Sequence, residues 1–124
     1  MKKNIFILTL ILIFVFFTTE AIAQKKATLY GEIVELTTFV KDGIKPNSPA
    51  GKEITTENLN KGGTFVLLEK GTGKIVLLTS SVPEYKLTEQ LTPYLGITVF
   101  VKGNLYKKGG IRLLDVQDVG KYLK

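Results

Sequence analysis

The chain has 124 residues, 44% of them hydrophobic and 23% charged, and a formal net charge of +6. It contains no Cys, no His and no Trp. Disulfides, thiolate nucleophiles, thiolate zinc sites and imidazole acid–base chemistry are thereby excluded, and the length allows one small domain.

Residues 1–23 carry the pattern of a secretory leader. Lys2 and Lys3 form a basic start, residues 5–17 are apolar except for Thr9, and Ala21-Ile22-Ala23 supplies a small-x-small cleavage signature. A retained membrane anchor is the competing reading. It needs about 20 apolar residues, and Glu20 interrupts the run. The expectation is a signal peptide over 1–23 and one domain over 24–124, exported to the periplasm or secreted, with no stable membrane span after cleavage. Without Lys2, Lys3 and Glu20 the cationic excess falls by one. Such moderate basicity suits an anionic partner, although an ordinary solvated surface accounts for it more simply.

Residues 24–26 read as a frayed terminus. Residues 27–40, ATLYGEIVELTTFV, are rich in β-branched and aromatic types and predict one long strand. Gly31 stands where that strand could bulge or bend to serve two neighbours. Residues 41–63 hold turn chemistry at Lys41-Asp42-Gly43 and Pro46-Asn47-Ser48-Pro49. A short helix fits between Ser48 and Asn60, with Ala50, Ile54 and Asn58 sharing a face and Gly62-Gly63 ending it.

Residues 64–69 and 74–79 predict a hairpin across Lys70-Gly71-Thr72-Gly73, its arms apolar enough for burial on both faces or a central place in the sheet. Gly73-Lys74 is not a phosphate loop, because Leu68 stands where the pattern needs glycine and Ile75 where it needs Ser or Thr. Residues 81–95 predict the one substantial helix. Ser81 would cap it with Glu84 in a capping box, and Leu87, Leu91 and Leu95 would form its apolar stripe. Pro93 puts the last helical residue at Leu91 or Thr92. Ile97, Val99, Val101, Gly103 and Leu105 then alternate with Thr98, Phe100, Lys102, Asn104 and Tyr106, the period of a strand. Lys107-Lys108-Gly109-Gly110 offers the glycines of a hairpin turn, and residues 111–119 form the last strand.

Long strand, excursion, strand, strand, helix, strand, strand is the order of the oligonucleotide/oligosaccharide-binding (OB) barrel. The expected fold class is therefore mainly β: a five-stranded OB-like Greek-key barrel with one helix between strands 3 and 4. Tyr30-Gly31-Glu32-Ile33-Val34, Lys70-Gly71-Thr72-Gly73-Lys74, and residues 91–96, 99–103 and 109–116 carry the likeness. Through them the chain resembles the small exported bacterial OB-fold proteins of unassigned activity, over most of residues 24–124. Some such relatives carry cysteines and a histidine after the first strand. This chain has Thr38 and residues 52–60 there, with neither residue type. No metal and no cofactor is expected.

OB barrels use the face of strands 2 and 3 with the loops joining strands 1–2 and 4–5. The candidate ligand-binding residues are Tyr30, Lys70, Lys74, Lys102, Tyr106, Lys107, Lys108 and Arg112. Phe65 and Phe100 are candidate stacking rings that a place in the core explains more simply. Aromatic platforms beside a basic groove hold single-stranded nucleic acid, but export and the small cationic excess weigh against that ligand.

For catalysis only carboxylates, Lys, Ser, Thr and Tyr remain. Glu32 with Glu35 and Glu53 with Glu57 are the paired carboxylates, the second at best a weak oxygen site for a hard cation. Ser80 and Ser81 have no imidazole to activate them. The expectation is a non-enzymatic binding module whose partner is another envelope protein, a glycan or another anionic polymer. The alternative is a structural accessory subunit whose groove is filled by its own side chains, with residues 41–63 packed over it.

Overall fold

The computed structural model describes residues 24–123; the leader pattern over 1–23 lies outside the described residues. Five strands form a closed barrel: β1 (Gln24–Glu35), β2 (Phe65–Glu69), β3 (Ile75–Thr79), β4 (Thr98–Lys108) and β5 (Ile111–Lys121). Their order around the barrel is β1-β2-β3-β5-β4. Neighbours are antiparallel except β3 and β5, which run parallel with Leu77 opposite Leu113.

The closing strand is β1, which pairs with β4 from Gln24 to Glu32 and with β2 from Gly31 to Glu35. Residues 24–26 are thus paired strand and not a frayed end. Gly31 is one of two positions shared by both ladders, opposite Val99 on one side and Glu69 on the other. A Cβ there would run into the carbonyl of Leu68. This close approach of a third backbone is what glycine permits in a strand. The register shift of the barrel falls elsewhere, at Lys102/Gly103 on β4.

Alternation decides what the barrel encloses. Ile33, Leu67, Val76, Leu78, Val99, Val101, Leu114 and Val116 point inward and are buried together. Each such aliphatic side chain contributes about 1.5–3 kcal/mol by leaving water. β3 is buried on one face and partly covered on the other, and of the two readings of its apolar run the central place in the sheet, between β2 and β5, is the one it takes. On β2, Val66 is fully buried although it points away from the interior, as is Val34 opposite it.

Three short helices are present: α1 (Leu36–Asp42), which was not expected, α2 (Pro49–Asn60), where a short helix was expected, and α3 (Leu87–Leu91), the last continued by a 3-10 turn at Thr92–Tyr94. Residues 36–40 are therefore helix and not the end of a long strand. The Glu35 carboxylate turns the chain by accepting the Thr37 and Thr38 N–H groups, and Gly43, at φ 68°, stops the helix with its N–H on Phe39 O. Helix α2 is capped by the Ser48 hydroxyl on Gly51 N–H. It buries Gly51, Thr55 and Leu59, one position along from the face expected.

Helix α3 is shorter than predicted. Ser81 does not cap it; its hydroxyl donates instead to Asp115 Oδ2 at 2.6 Å, and its N–H to Asp115 Oδ1 at 2.9 Å. Leu91 and Leu95 do join the barrel core, and Leu87 packs against it. Among the described residues no helix is long and apolar enough to cross a membrane.

Candidate binding face

The outer surface of β1, β4 and β5 brings together several aromatic and cationic groups. Register places Tyr30 opposite Phe100 and Phe100 opposite Gly120. A Cβ at position 120 would lie 2.5 Å from the Phe100 ring. Gly120 therefore lets that ring lie against the sheet, an aromatic covering a glycine across a strand pair. Tyr122 sits one row along, its N–H on Thr98 O, and meets Tyr30 edge to face at 5.1 Å between centroids and 63° between planes. Tyr30 and Tyr122 thus present faces at two inclinations, and with Phe100 in register beside Tyr30 they form a shelf.

Two lysines sit on this shelf. Lys70 Nζ lies 5.0 Å from the centre of the Tyr122 ring, and Lys102 Nζ lies 5.5 Å from that of Phe100. Such contacts hold the ammonium over the ring with about 0.5–1 kcal/mol at exposed sites. Lys70 is placed by its backbone, whose N–H donates to Tyr30 O at 2.8 Å. It also borders a cleft of about 350 Å³ with Gly31, Glu32, Leu68, Glu69 and Thr98.

Both carboxylates of that cleft are paired. Glu32 Oε2 accepts from Lys45 Nζ at 3.0 Å, with each side chain about one-third exposed (34%). Glu69 holds the Arg112 guanidinium through two bonds of 3.1 and 3.3 Å and accepts the Thr72 hydroxyl at 2.7 Å. The bonds from Arg112 and Thr72 outweigh desolvation and hold the Glu69 carboxyl below the ordinary carboxylate range.

A second carboxylate network lies outside the face. Glu35, buried where β1 meets α1, accepts Thr37 N–H, Thr38 N–H and hydroxyl, and Thr64 N–H at 2.8–3.1 Å. Asn58 of α2 donates in turn to the Thr38 hydroxyl at 2.7 Å. Burial raises the Glu35 pKa, but these bonds, led by those from Thr38, outweigh it and leave it lowered.

The eight candidate residues do not share one groove. Tyr30, Lys70 and Lys102 meet on the shelf. Lys107 and Lys108 are exposed at the β4–β5 turn, where Gly109 and Gly110 take φ 59° and 78° as anticipated. Lys74 is exposed beside the β2–β3 turn. Tyr106 lies half-buried on the outer surface, in register with Leu113 and Gln24. Arg112 is no free cation, because Glu69 engages it. Of the rings, Phe65 is core, whereas Phe100 stands outside the barrel's buried cluster. Tyr122 escaped sequence reasoning, since the last strand was expected to end at residue 119. Its aromatic side chain beyond a β run was the available signal.

Compared with known proteins, the chain matches no family model, no curated protein and no solved structure.

Proposed function

We propose that this chain is an exported, non-enzymatic binding module of the OB type, whose partner is another envelope component, protein or glycan. The leader pattern supports export. The strand order β1-β2-β3-β5-β4 with a helix between β3 and β4 supports the OB assignment. The shelf of Tyr30, Phe100 and Tyr122 under Lys70 and Lys102 carries the binding reading. It presents aromatic rings at the surface, a residue type enriched at recognition sites, with two lysine donors beside them. Carboxylates without imidazole or thiol partners favour binding over nucleophilic or acid–base chemistry.

The test is capture from an envelope fraction, with identified partners compared across variants. Tyr30→Ala combined with Tyr122→Ala is expected to abolish a capture that the unaltered chain gives. Capture that survives the double change but disappears with Lys107→Glu and Lys108→Glu would move the site to the hairpin tip and overturn the shelf reading.

A structural accessory subunit is the second reading. Val34 and Val66 favour it, because both are fully buried outside the barrel interior. Lys45, reaching Glu32 on that side of β1, brings the α1–α2 connection against the outer surface there. Slow proteolysis between Pro46 and Gly62 would support the covered arrangement, and rapid cutting would count against it.

A further inference from the structure

We propose that the Tyr30–Phe100–Tyr122 shelf and the cleft beside it bind a neutral pyranoside chain, an inference that rests on the binding-module reading above. The argument begins with what each group offers. An aromatic face attracts the polarised C–H bonds of a pyranose ring as it attracts the positive edge of another ring. Tyr30 and Tyr122, inclined by 63°, cannot both stack on one flat base, but they can flank a chain whose successive rings turn about each linkage. Tyr30 is 43% exposed, so its surface is open to a ligand.

The polar groups then select among ligands. Glu32 and Glu69 border the cleft, and Asp118 stands opposite Lys102 in the β4–β5 register. Carboxylates accept hydrogen bonds and donate none. A sugar hydroxyl can donate to the lone pairs that Lys45, Arg112 and Thr72 leave open, whereas a phosphate group or the carboxylate of a uronate offers only acceptors. Lys70, bordering both shelf and cleft, supplies donors for ring and hydroxyl oxygens. The cleft, about 350 Å³, has the size of a single small-ligand site. Stacking on the shelf and hydroxyl bonding in the cleft would thus engage neighbouring sugars of one chain. A single-stranded nucleic acid would meet the same rings, but its phosphates carry no donor for the carboxylate oxygens beside them.

Calorimetric titration of the full chain tests this with four probes: cellohexaose, chitohexaose, hexagalacturonate and a twelve-nucleotide oligothymidylate. Saturable binding of a neutral hexasaccharide is expected, weakened about tenfold by Tyr30→Ala or Tyr122→Ala, as loss of one aromatic contact implies. Tyr30→Phe and Tyr122→Phe keep the rings and should keep the affinity, which separates stacking from a folding defect. Lys107→Glu should leave binding unchanged. If hexagalacturonate or oligothymidylate binds more tightly through the same tyrosines, the neutral-sugar proposal is overturned while the module reading stands. If the folded protein binds none of the four, the proposal also falls, and envelope capture still judges the module reading separately.

Discussion

Two carboxylates, Glu35 and Glu69, sit at opposite ends of β2 and hold the barrel together by different physics. Glu35 is enclosed where β1 ends and β2 begins, and neutral donors from Thr37, Thr38 and Thr64 bind it. Glu69 stands where β2 ends and is bound by a cation, Arg112, from the start of β5. The first ties a strand end, a helix start and the approach to β2 into one hub without any opposite charge. The second is a cross-barrel ion pair whose side chains are less than one-fifth exposed, at 19% and 16%. A buried anion can thus be held by hydrogen bonds alone when enough oriented donors converge, while one nearer solvent uses charge.

The largest expected effect comes from breaking the hub. Glu35→Ala leaves three backbone N–H groups without their acceptor and should destabilise the fold by about 3 kcal/mol, read as a lower urea midpoint. An unchanged midpoint would mean that the network is incidental.

Arg112→Ala should cost less, about 1–2 kcal/mol, because water can reach the Glu69 carboxylate left behind. Adding salt to about 0.5 M should narrow the difference between Arg112→Ala and the unaltered chain, and leave the Glu35→Ala deficit in place. Equal salt responses would erase the distinction between the two ends.

Acidification engages both carboxylates in the same direction. Each has a folded pKa below the ordinary carboxylate value of 4.5. Their stabilisation is therefore complete above that value and is lost as pH falls through the folded pKa values. A urea series from pH 6 to pH 3 should show a falling midpoint, with a shallower slope in Glu35→Gln. A slope unaltered by Glu35→Gln would assign the acid sensitivity to other groups.

The smallest effect lies beside the hub. The Thr55 hydroxyl is buried with no hydrogen-bond partner among the described residues. Thr55→Val removes that unmet group at constant shape and should stabilise by about 1 kcal/mol. A destabilised Thr55→Val would indicate a partner for the hydroxyl.

These two ends also differ in how well the sequence foretold them. The β2–β3 and β4–β5 hairpins were legible, since apolar runs in the first, alternation in the second and turn glycines in both state their structure locally. The Glu35 hub was not. Leu36-Thr37-Thr38-Phe39-Val40 is strand-like in composition, and the residue that bends it into a helix is glutamate, outside the usual capping set. Its partners include Thr64, far along the chain. Ser81 misled for the converse reason: a complete local capping box lost to Asp115, which only the folded barrel brings near. At the candidate face, Tyr30, Lys70 and Lys102 were nameable from residue type, but their meeting with Phe100 and Tyr122 depends on the β1–β4–β5 register. The cation Arg112 could not be discounted until Glu69 was found against it.

The double pairing of β1 has a consequence for how the chain reaches this structure. Leu29 lies against Val101, so the seam that shuts the barrel joins segments from opposite ends of the domain. Hairpin contacts can form as soon as their strands exist, whereas this seam waits until nearly all of the chain is available. Such non-local closure is slow relative to turn formation. Until it occurs, the first strand presents an unpaired edge able to capture a foreign strand. Two lysines in its opening stretch, Lys25 and Lys26, set like charges along that edge, a safeguard during the interval before assembly completes.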